Sequence, residues 1–243
     1  PTEAPSGTPT IGPTEAPSVA PTPVPWDFAQ KIIAPDPSNN AEFGSSLAVF
    51  GNTLVVGESR GRDGTSQVGL AHIYTTMDGG ATWNYTQTLQ APDGSNSDEF
   101  GFDVAISEDY VVVGAPSDNE DGGNSGTAYV FRTTDGGATW NFTQKLVAPD
   151  GAANDQFGTS VAISDDNDIV FVGAPFDDDG ASNSGSVYVY NTTDGGATWN
   201  FAQKLVTPDP AASNNDNFGH SVATFGNILV VGELAGAGVS SNS

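Results

Sequence analysis

The chain has 243 residues, long enough for one large all-β domain or two small ones, and 30 Asp and Glu against six Lys and Arg leave a net charge of −24. Such a surface repels phosphate groups, so nucleic acid and anionic lipid are poor partners, whereas cations and neutral polymers remain possible. The absence of cysteine excludes a disulfide scaffold, and no apolar run reaches the length of a membrane span, so we expect no membrane insertion by this segment.

Residues 1–25 are rich in proline, with Thr, Ser, Ala and Glu, and the hexapeptide PTEAPS occurs at 1–6 and again at 13–18. This composition cannot build a core. It predicts either an O-glycosylated stalk or semi-rigid spacer, or a plain disordered linker. Both alternatives place the folded part at the end of a tether.

Two markers repeat through the rest of the chain. Tryptophans recur at intervals of 57, 57 and 59 residues, at Trp26, Trp83, Trp140 and Trp199. A Phe-Gly pair follows each one by 17 to 19 residues, beginning at Phe43, Phe100, Phe157 and Phe218. The chain is therefore predicted to be a repeat array, in which a residue present in every unit usually serves the fold.

Each unit contains four short stretches rich in Val, Ile, Tyr and Phe, none with room for a helix. In the second unit they are Phe100–Ser107, Tyr110–Ala115, Thr127–Arg132 and Trp140–Val147. In the third they are Phe157–Ser164, Ile169–Ala174, Ser186–Tyr190 and Trp199–Val206. We predict an all-β protein with four strands in each unit.

Apolar character is continuous in Val111–Val113 and Ile169–Val172, as in strands covered on both faces. Four-stranded antiparallel sheets stacked around an axis bury both faces of each sheet, which is the geometry of a β-propeller. A β-solenoid would need shorter, more regular coils. The first strand of each blade should line the axis, and the strand that carries the Trp should be outermost.

The predicted blades do not complete a ring. We expect an orphan outer strand and loop over 26–42, three complete blades over 43–99, 100–156 and 157–217, and a partial fourth blade over 218–243. The orphan strand either ends a missing earlier blade or pairs with the C-terminal half-blade to close a small ring. We favour a fragment of a larger propeller, because a three-stranded closing blade leaves an apolar face underfilled.

Residues 76–83, 133–140 and 192–199, of which the last two read TTDGGATW, resemble the Asp-box, a motif of the hairpin between strands 3 and 4 of propeller blades. A turn aspartate accepts hydrogen bonds from nearby backbone amides, glycine supplies positive φ, and the Trp ring covers the hairpin. We interpret Asp78, Asp135 and Asp194 as structural turn residues.

The Phe-Gly pairs belong to a second resemblance. Phe100-Gly101 with Gly114-Ala115-Pro116, and Phe157-Gly158 with Gly173-Ala174-Pro175, resemble the FG-GAP repeat of the integrin α-subunit propeller and of many extracellular microbial proteins. The first unit departs with Gly57-Glu58-Ser59 and the fourth with Gly232-Glu233-Leu234. The resemblance covers residues 26–234 and implies the propeller fold; activity has to be argued from the site.

Calcium is the cofactor that this resemblance suggests. Integrin-like propellers bind it in a DxDxDG loop between the first two strands, and that loop is too short here and lacks the glycine. Acidity lies instead between the second and third strands, where the candidate calcium ligands are Asp118, Asp121, Asp177 and Asp179. The alternative is that these carboxylates belong to solvated turns.

Three N-glycosylation sequons begin at Asn84, Asn141 and Asn191. The first two begin an outermost strand, where a glycan could point outward. Together with the stalk, they favour an extracellular or cell-surface location.

Residues suited to catalysis are scarce. The only histidines are His72 and His220, and we interpret His72 as a hydrogen-bonded structural residue in a third strand. Asp-box propellers include sialidases, which need three clustered arginines, and Arg60, Arg62 and Arg132 are not placed for that. A carboxylate pair for glycoside hydrolysis cannot be dismissed by counting, although none stands out from the repeat.

We therefore predict a non-enzymatic binding or adhesion propeller that presents acidic loops to a protein or glycan partner. The alternative is a non-catalytic module of a larger extracellular enzyme.

Overall fold

The structure, a computed structural model, describes residues 28–164, 168–179, 181–207 and 215–234. The regular elements in these ranges are β-strands, and they form three four-stranded antiparallel sheets and one two-stranded sheet. No helix in these ranges is long and apolar enough to cross a membrane. The predicted stalk, Trp26 and residues 235–243 of the predicted partial blade lie outside the described residues.

Within each sheet the strands follow chain order as a meander. The first sheet contains β1 (Phe43–Phe50), β2 (Thr53–Glu58), β3 (Leu70–Thr75) and β4 (Asn84–Leu89). The second contains β5 (Val104–Ile106), β6 (Tyr110–Ala115), β7 (Thr127–Arg132) and β8 (Asn141–Leu146). The third contains β9 (Ser160–Ser164), β10 (Ile169–Ala174), β11 (Ser186–Asn191) and β12 (Asn200–Val206), and the half-sheet contains β13 (Ser221–Phe225) and β14 (Ile228–Gly232). The all-β propeller prediction is confirmed.

The Phe-Gly pair joins successive sheets. Because Phe100 bonds to the preceding sheet, β5 begins at Val104 and is shorter than the predicted stretch Phe100–Ser107. Phe100 is fully buried and forms an isolated parallel bridge with Gly69 of the preceding sheet. Gly69 and Gly101 both have positive φ, and a Cβ on either would lie about 2 Å from backbone oxygen of the adjoining sheet. The same bridge recurs between Gly126 and Phe157 and between Gly185 and Phe218.

The core lies between the sheets. Val55, Ile73 and Leu89 of the first sheet pack against one face of the second, which supplies Val111 and Val113. The other face of the second sheet packs on the third through a further set of buried side chains, among them Val112, Val130, Leu146, Val170, Val172 and Tyr188. Burial on both faces accounts for the continuous apolar runs. Each fully buried Val, Leu or Ile side chain contributes roughly 1.5–3 kcal/mol to the free energy of folding.

The first strands line one edge of the array, since β1 contacts β5, β5 contacts β9, and β9 contacts β13. The fourth strands lie at the opposite, outer edge, as predicted. In the described part of the chain β14 pairs only with β13, so the ring is partial. Residues 28–34 are not paired as a strand; they lie beside the first sheet, where Gln30 bonds the backbone of Trp83.

Candidate binding face

In an antiparallel meander, alternate connections emerge at the same end of the sheet. The connections from strand 2 to strand 3 and from strand 4 to the next sheet therefore share one end of the array. We call this end the acidic face, defined by six carboxylates: Asp93, Asp118, Glu120, Asp150, Asp177 and Asp179. The connections from strand 1 to 2 and from 3 to 4 lie at the other end.

The first carboxylate cluster surrounds Lys145, which β8 holds at the rim of the second sheet. Its Nζ lies 2.8 Å from Asp93 Oδ2, 2.7 Å from Glu120 Oε2 and 3.3 Å from Asp118 Oδ2. The hydroxyl of Tyr129 donates to Asp93 at 2.9 Å and to Asp118 at 2.8 Å. Asp118 is buried, while Asp93 and Glu120 are about half exposed.

The second cluster repeats this arrangement one sheet later. Lys204 Nζ lies 2.9 Å from Asp150 Oδ2 and 2.8 Å from Asp177 Oδ2, and it also pairs with Asp179. Tyr188 donates its hydroxyl to Asp150 and Asp177. Again one carboxylate is buried and two reach solvent, so the acidic face is periodic.

Hydrogen bonds favour the charged forms of both lysines and of Asp93 and Asp150. Burial disfavours the charge on Lys145 and Lys204, but hydrogen bonds to the carboxylates outweigh it and raise the pKa of both ammonium groups. Burial likewise opposes ionisation of Asp93 and Asp150, and hydrogen bonds from the lysine and the tyrosine leave the pKa of each carboxyl lowered. Each cluster therefore contains a lysine and an outward aspartate whose charged forms stabilise one another.

The predicted calcium ligands belong to these loops. Asp118 and Asp177 accept hydrogen bonds from tyrosine and pair with lysine, as described above; Asp179 pairs with Lys204, and the backbone of Asp121 donates to Ser125. Within the described ranges no group of three or more Asp, Glu or His side chains is arranged to hold a metal ion. A lysine ammonium pairs with Asp118, and another pairs with Asp177 and Asp179, so these three carboxylates do not fit calcium as they are placed.

Sequence reasoning missed the two lysines. Both follow glutamine at the same distance from the repeated tryptophan, in TQKL at 143–146 and AQKL at 202–205. That recurrence was the available signal, because a lysine at the same place in two units of an acidic chain is expected to pair with carboxylates at equivalent places.

The first unit replaces this cluster with a buried pair. His72 stands in register with Tyr129 and Tyr188, and its Nε2 lies 2.5 Å from Glu58 Oε2 while its Nδ1 lies 2.9 Å from Thr88 Oγ1. The first unit reads Gly57-Glu58-Ser59 where the second and third read Gly-Ala-Pro, so Glu58 stands in the position of the alanine. This glutamate is the partner of His72. His72 is a hydrogen-bonded core residue.

The Asp-box-like hairpins lie at the opposite end. Asp78 Oδ1 accepts hydrogen bonds from the hydroxyl of Thr76 and the backbone of Thr82, both at 2.8 Å, and Oδ2 accepts the Thr82 hydroxyl at 2.6 Å. Hydrogen bonds from Thr82 and then Thr76 lower the pKa of Asp78 to about 2. Asp135 and Asp194 make the same contacts, and the pKa of each is likewise lowered to about 2.

The hairpin tryptophan contributes to the joint between sheets as well as to its own turn. Trp199 is buried and meets the Tyr110 ring of the preceding sheet edge-on, with ring centroids 5.3 Å apart. The sequence-based interpretation, in which the ring covers the hairpin, left out this contact because the partner lies 89 residues away.

The sequon asparagines differ in exposure. Asn84 and Asn141 are exposed at the start of β4 and β8, whereas Asn191 is half-buried in β11, where it pairs with Asn200 and Ile169. Glycosylation stays a prediction at all three positions, and the geometry favours Asn84 and Asn141.

The arginines do not converge. Arg60 pairs with Glu42 at 2.9 Å at the acidic-face end, and Arg62 donates to the carbonyl of Thr65. Arg132 stacks over the Tyr110 ring at the other end. A three-arginine carboxylate site of the sialidase type is therefore not formed by these side chains.

Stacked four-stranded antiparallel sheets, with their first strands along one inner edge, define a β-propeller array. The sequence matches the FG-GAP repeat family over residues 26–74, 83–131, 140–190 and 199–243, so the chain belongs to that family. Among curated proteins it is similar to integrin alpha-2 of Bos taurus, 34% identical over 128 residues, and to integrin alpha-2 of Mus musculus, 32% identical over 128 residues. Each match covers 49% of this chain and 10% of the relative.

Among solved structures, Sqt1 of Saccharomyces cerevisiae aligns with a TM-score of 0.45 and 13% identity, covering 74% of this chain and 38% of that one.

Proposed function

We propose that this chain is an extracellular or cell-surface binding module whose acidic face engages a basic surface on a protein partner. The observation that carries the proposal is the pair of equivalent carboxylate clusters on successive blades. In each, one partly buried lysine pairs with two outward carboxylates, and one tyrosine hydroxyl bonds one of those two.

Preorganisation is what suits this face to binding. Because the outward carboxylates are already held by hydrogen bonds, less side-chain entropy is lost when a partner binds. Three carboxylates against one ammonium also leave each cluster negative, and a patch of one sign speeds the approach of an oppositely charged partner. A basic protein surface therefore fits this face better than an anionic glycan does.

The extracellular assignment is supported by three features. The matched relatives are integrin α-subunits, sequons at Asn84 and Asn141 are exposed, and a Pro/Thr/Ser-rich segment precedes the blades. The chain spans about a tenth of the length of those relatives, so this location and the kind of partner belong to the proposal.

The experiment compares two matched double variants. Glu120→Gln with Asp179→Asn neutralises one outward carboxylate in each cluster, and Glu108→Gln with Asp109→Asn neutralises two exposed carboxylates at the other end. We expect the first pair to weaken binding of a fluorescent deca-lysine peptide about tenfold in low salt, since two partly exposed charge contacts are worth roughly 1–2 kcal/mol together. The second pair should bind as the natural chain does. Equal losses from both pairs would show that only net charge matters and would refute the acidic face as a site.

A further inference from the structure

A pocket opens on the acidic face at the joint between the first and second sheets. It has a volume of about 320 Å³, and its polar lining includes four carboxyl groups and one ammonium. The connection between the two sheets supplies Asp93 and Asp98, the loop from β6 to β7 supplies Asp118 and Glu120, and β8 supplies Lys145. With four carboxyl groups against one ammonium, the pocket favours a cation and disfavours an anion.

The four carboxyl groups lie at different depths in this pocket. Asp93 and Glu120 are about half exposed and form its rim. Asp118 and Asp98 are buried, with Asp98 only 2% exposed, and they form its inner wall. A cation that enters the pocket therefore meets exposed carboxyl groups first and buried ones afterwards.

Asp98 has a hydrogen-bonding atom that the described part of the chain leaves unused. Its Oδ2 accepts the backbone amide of Ser95, whereas its Oδ1 is buried and has no hydrogen-bond partner among the described residues. Burial raises the pKa of the Asp98 carboxyl, and repulsion from Asp118 and Asp93 adds to this rise. The Ser95 amide and the charge of Lys145 offset only part of it. Because buried polar atoms are normally satisfied, Asp98 is the side chain of this pocket that gains most from a positively charged N–H donor.

The same loops already show which kind of cation they suit. The Nζ of Lys145 lies 2.7 to 3.3 Å from carboxylate oxygens of Asp93, Asp118 and Glu120. A primary ammonium has three N–H donors, so one nitrogen can serve three such acceptors. A metal ion suits the loops less well, since no three Asp, Glu or His side chains in the described ranges are arranged to hold one. An ammonium provides both things that Asp98 lacks, an N–H donor for Oδ1 and a compensating charge.

We propose that this pocket binds a second primary ammonium, which donates to Asp98 Oδ1 at the inner wall and is attracted by Asp93 and Glu120 at the rim. The ammonium comes either from a lysine side chain of the partner protein or from a free amine such as a polyamine. With a lysine as the source, the inference rests on the proposed function and names the side chain that the acidic face recognises. With a free amine as the source, it stands independently of that function.

The test is an NMR titration of the isotope-labelled full chain at about pH 8 and about 0.05 M NaCl, where carboxyl groups are charged and screening is weak. The probes are spermidine and a pentapeptide with blocked ends and one central lysine. The same peptide with norleucine in place of lysine is the control for the alkyl chain. We expect saturable shifts of the Ser95 and Asn119 backbone amides with at least one of the two ammonium probes, and none with the norleucine peptide.

A matched pair of variants tests the role of the buried carboxyl group. Asp98→Asn should weaken binding of the ammonium probe about tenfold, because a charge-assisted hydrogen bond is lost. The asparagine can still accept the Ser95 amide, so the circular dichroism should be that of the natural chain. Asp109→Asn removes the same charge at the opposite end of the array and should leave the affinity unchanged.

The outcomes separate the pocket from the acidic face as a whole. The pocket is refuted if neither probe shifts the Ser95 and Asn119 amides, if the norleucine peptide shifts them equally, or if Asp98→Asn binds as tightly as the natural chain. Deca-lysine binding that is lost in the Glu120 and Asp179 double variant but unchanged in Asp98→Asn would keep the proposed function and reject the pocket. Asp98-dependent binding of spermidine, together with equal losses of deca-lysine binding in both double variants, would keep the pocket and reject the proposed function.

Discussion

Asp118 and Asp177 show how a carboxylate can be buried in so acidic a chain. Each is a buried carboxylate, and each is satisfied by one tyrosine hydroxyl and one lysine ammonium. Removing the cation alone would leave a buried negative charge beside two others, which is strongly destabilising. In each loop, therefore, lysine pairs with one inner carboxylate, and the outer carboxylates face solvent.

Asp155 is the contrasting residue, a buried carboxylate whose pKa is raised to about 6 by burial, with Asp177 and Asp178 adding repulsion. Because the folded-state pKa lies above the unfolded value, the folded state binds the proton more tightly. Stability therefore falls as pH rises from about 4 to 6 and stays lower above that. Asp155→Asn should be more stable than the natural chain at pH 7.5, by on the order of 2 kcal/mol, and equally stable near pH 4.

Urea unfolding at the two pH values measures this difference. The asparagine can still accept the Ala152 amide, which donates to Asp155 at 2.7 Å, so the turn should be retained. Asp109→Asn, exposed at the other end of the array, provides the matched Asp-to-Asn control for the substitution itself. A change in unfolding free energy of the same size at both pH values would contradict the assignment.

At the scale of strands, the outer edges of successive sheets are linked by a repeated glutamine. The side chain of Gln144 in β8 accepts the Trp199 amide at 2.7 Å and donates to the Trp199 carbonyl at 2.8 Å. Gln87 bonds Trp140 in the same way, and Gln30 bonds Trp83. The Gln30 contact places residues 28–34 beside the first sheet, in the position that the glutamine-bearing fourth strands take at the later joints.

Removing this link should separate the outer edges. Gln144→Ala leaves both polar groups of Trp199 without their partner, at a cost of about 1–3 kcal/mol. Gln144→Glu keeps an acceptor but loses the donor, so it should be more destabilising at neutral pH than near pH 4, where the carboxyl is protonated. Thermal unfolding at the two pH values tests this. Thr143→Ala, the adjacent position, should cost less, and a Gln144→Ala variant as stable as that control would show that the link contributes nothing.

For the whole molecule, the distribution of charge matters more than its total. The chain carries −24, yet in the described part each of the two carboxylate clusters contains its own cation. In each cluster the ammonium offsets part of the local negative charge.

We therefore expect the melting temperature of the natural chain to be the same with millimolar calcium and with EDTA. Lys145→Met, which removes the internal cation and keeps the alkyl chain, should melt lower and regain part of the loss when calcium is added, because the three carboxylates then need a cation. Scanning calorimetry measures the melting temperature of both proteins with calcium and with EDTA. A calcium-dependent rise in the natural chain would instead support metal binding at Asp118, Asp121, Asp177 and Asp179.

The periodic tryptophans, the Phe-Gly pairs and the apolar stretches were sufficient to predict the strands, their number in each unit and the propeller fold. Local patterns determine these features because strand propensity and two-sided burial are properties of short segments. The ends of individual strands were predicted less well. The predicted first strand of the second unit begins at Phe100, but in the structure Phe100 forms a bridge to Gly69 of the preceding sheet, and a prediction made one segment at a time does not include contacts between sheets.

By itself, then, the sequence determined that this chain is an array of similar four-stranded β units with an acidic surface. Only the tertiary structure decided which carboxylates pair with Lys145 and Lys204. The physical reason is distance along the chain. Lys145 lies 52 residues from Asp93 and Lys204 lies 54 from Asp150, and such contacts exist only once neighbouring sheets have packed.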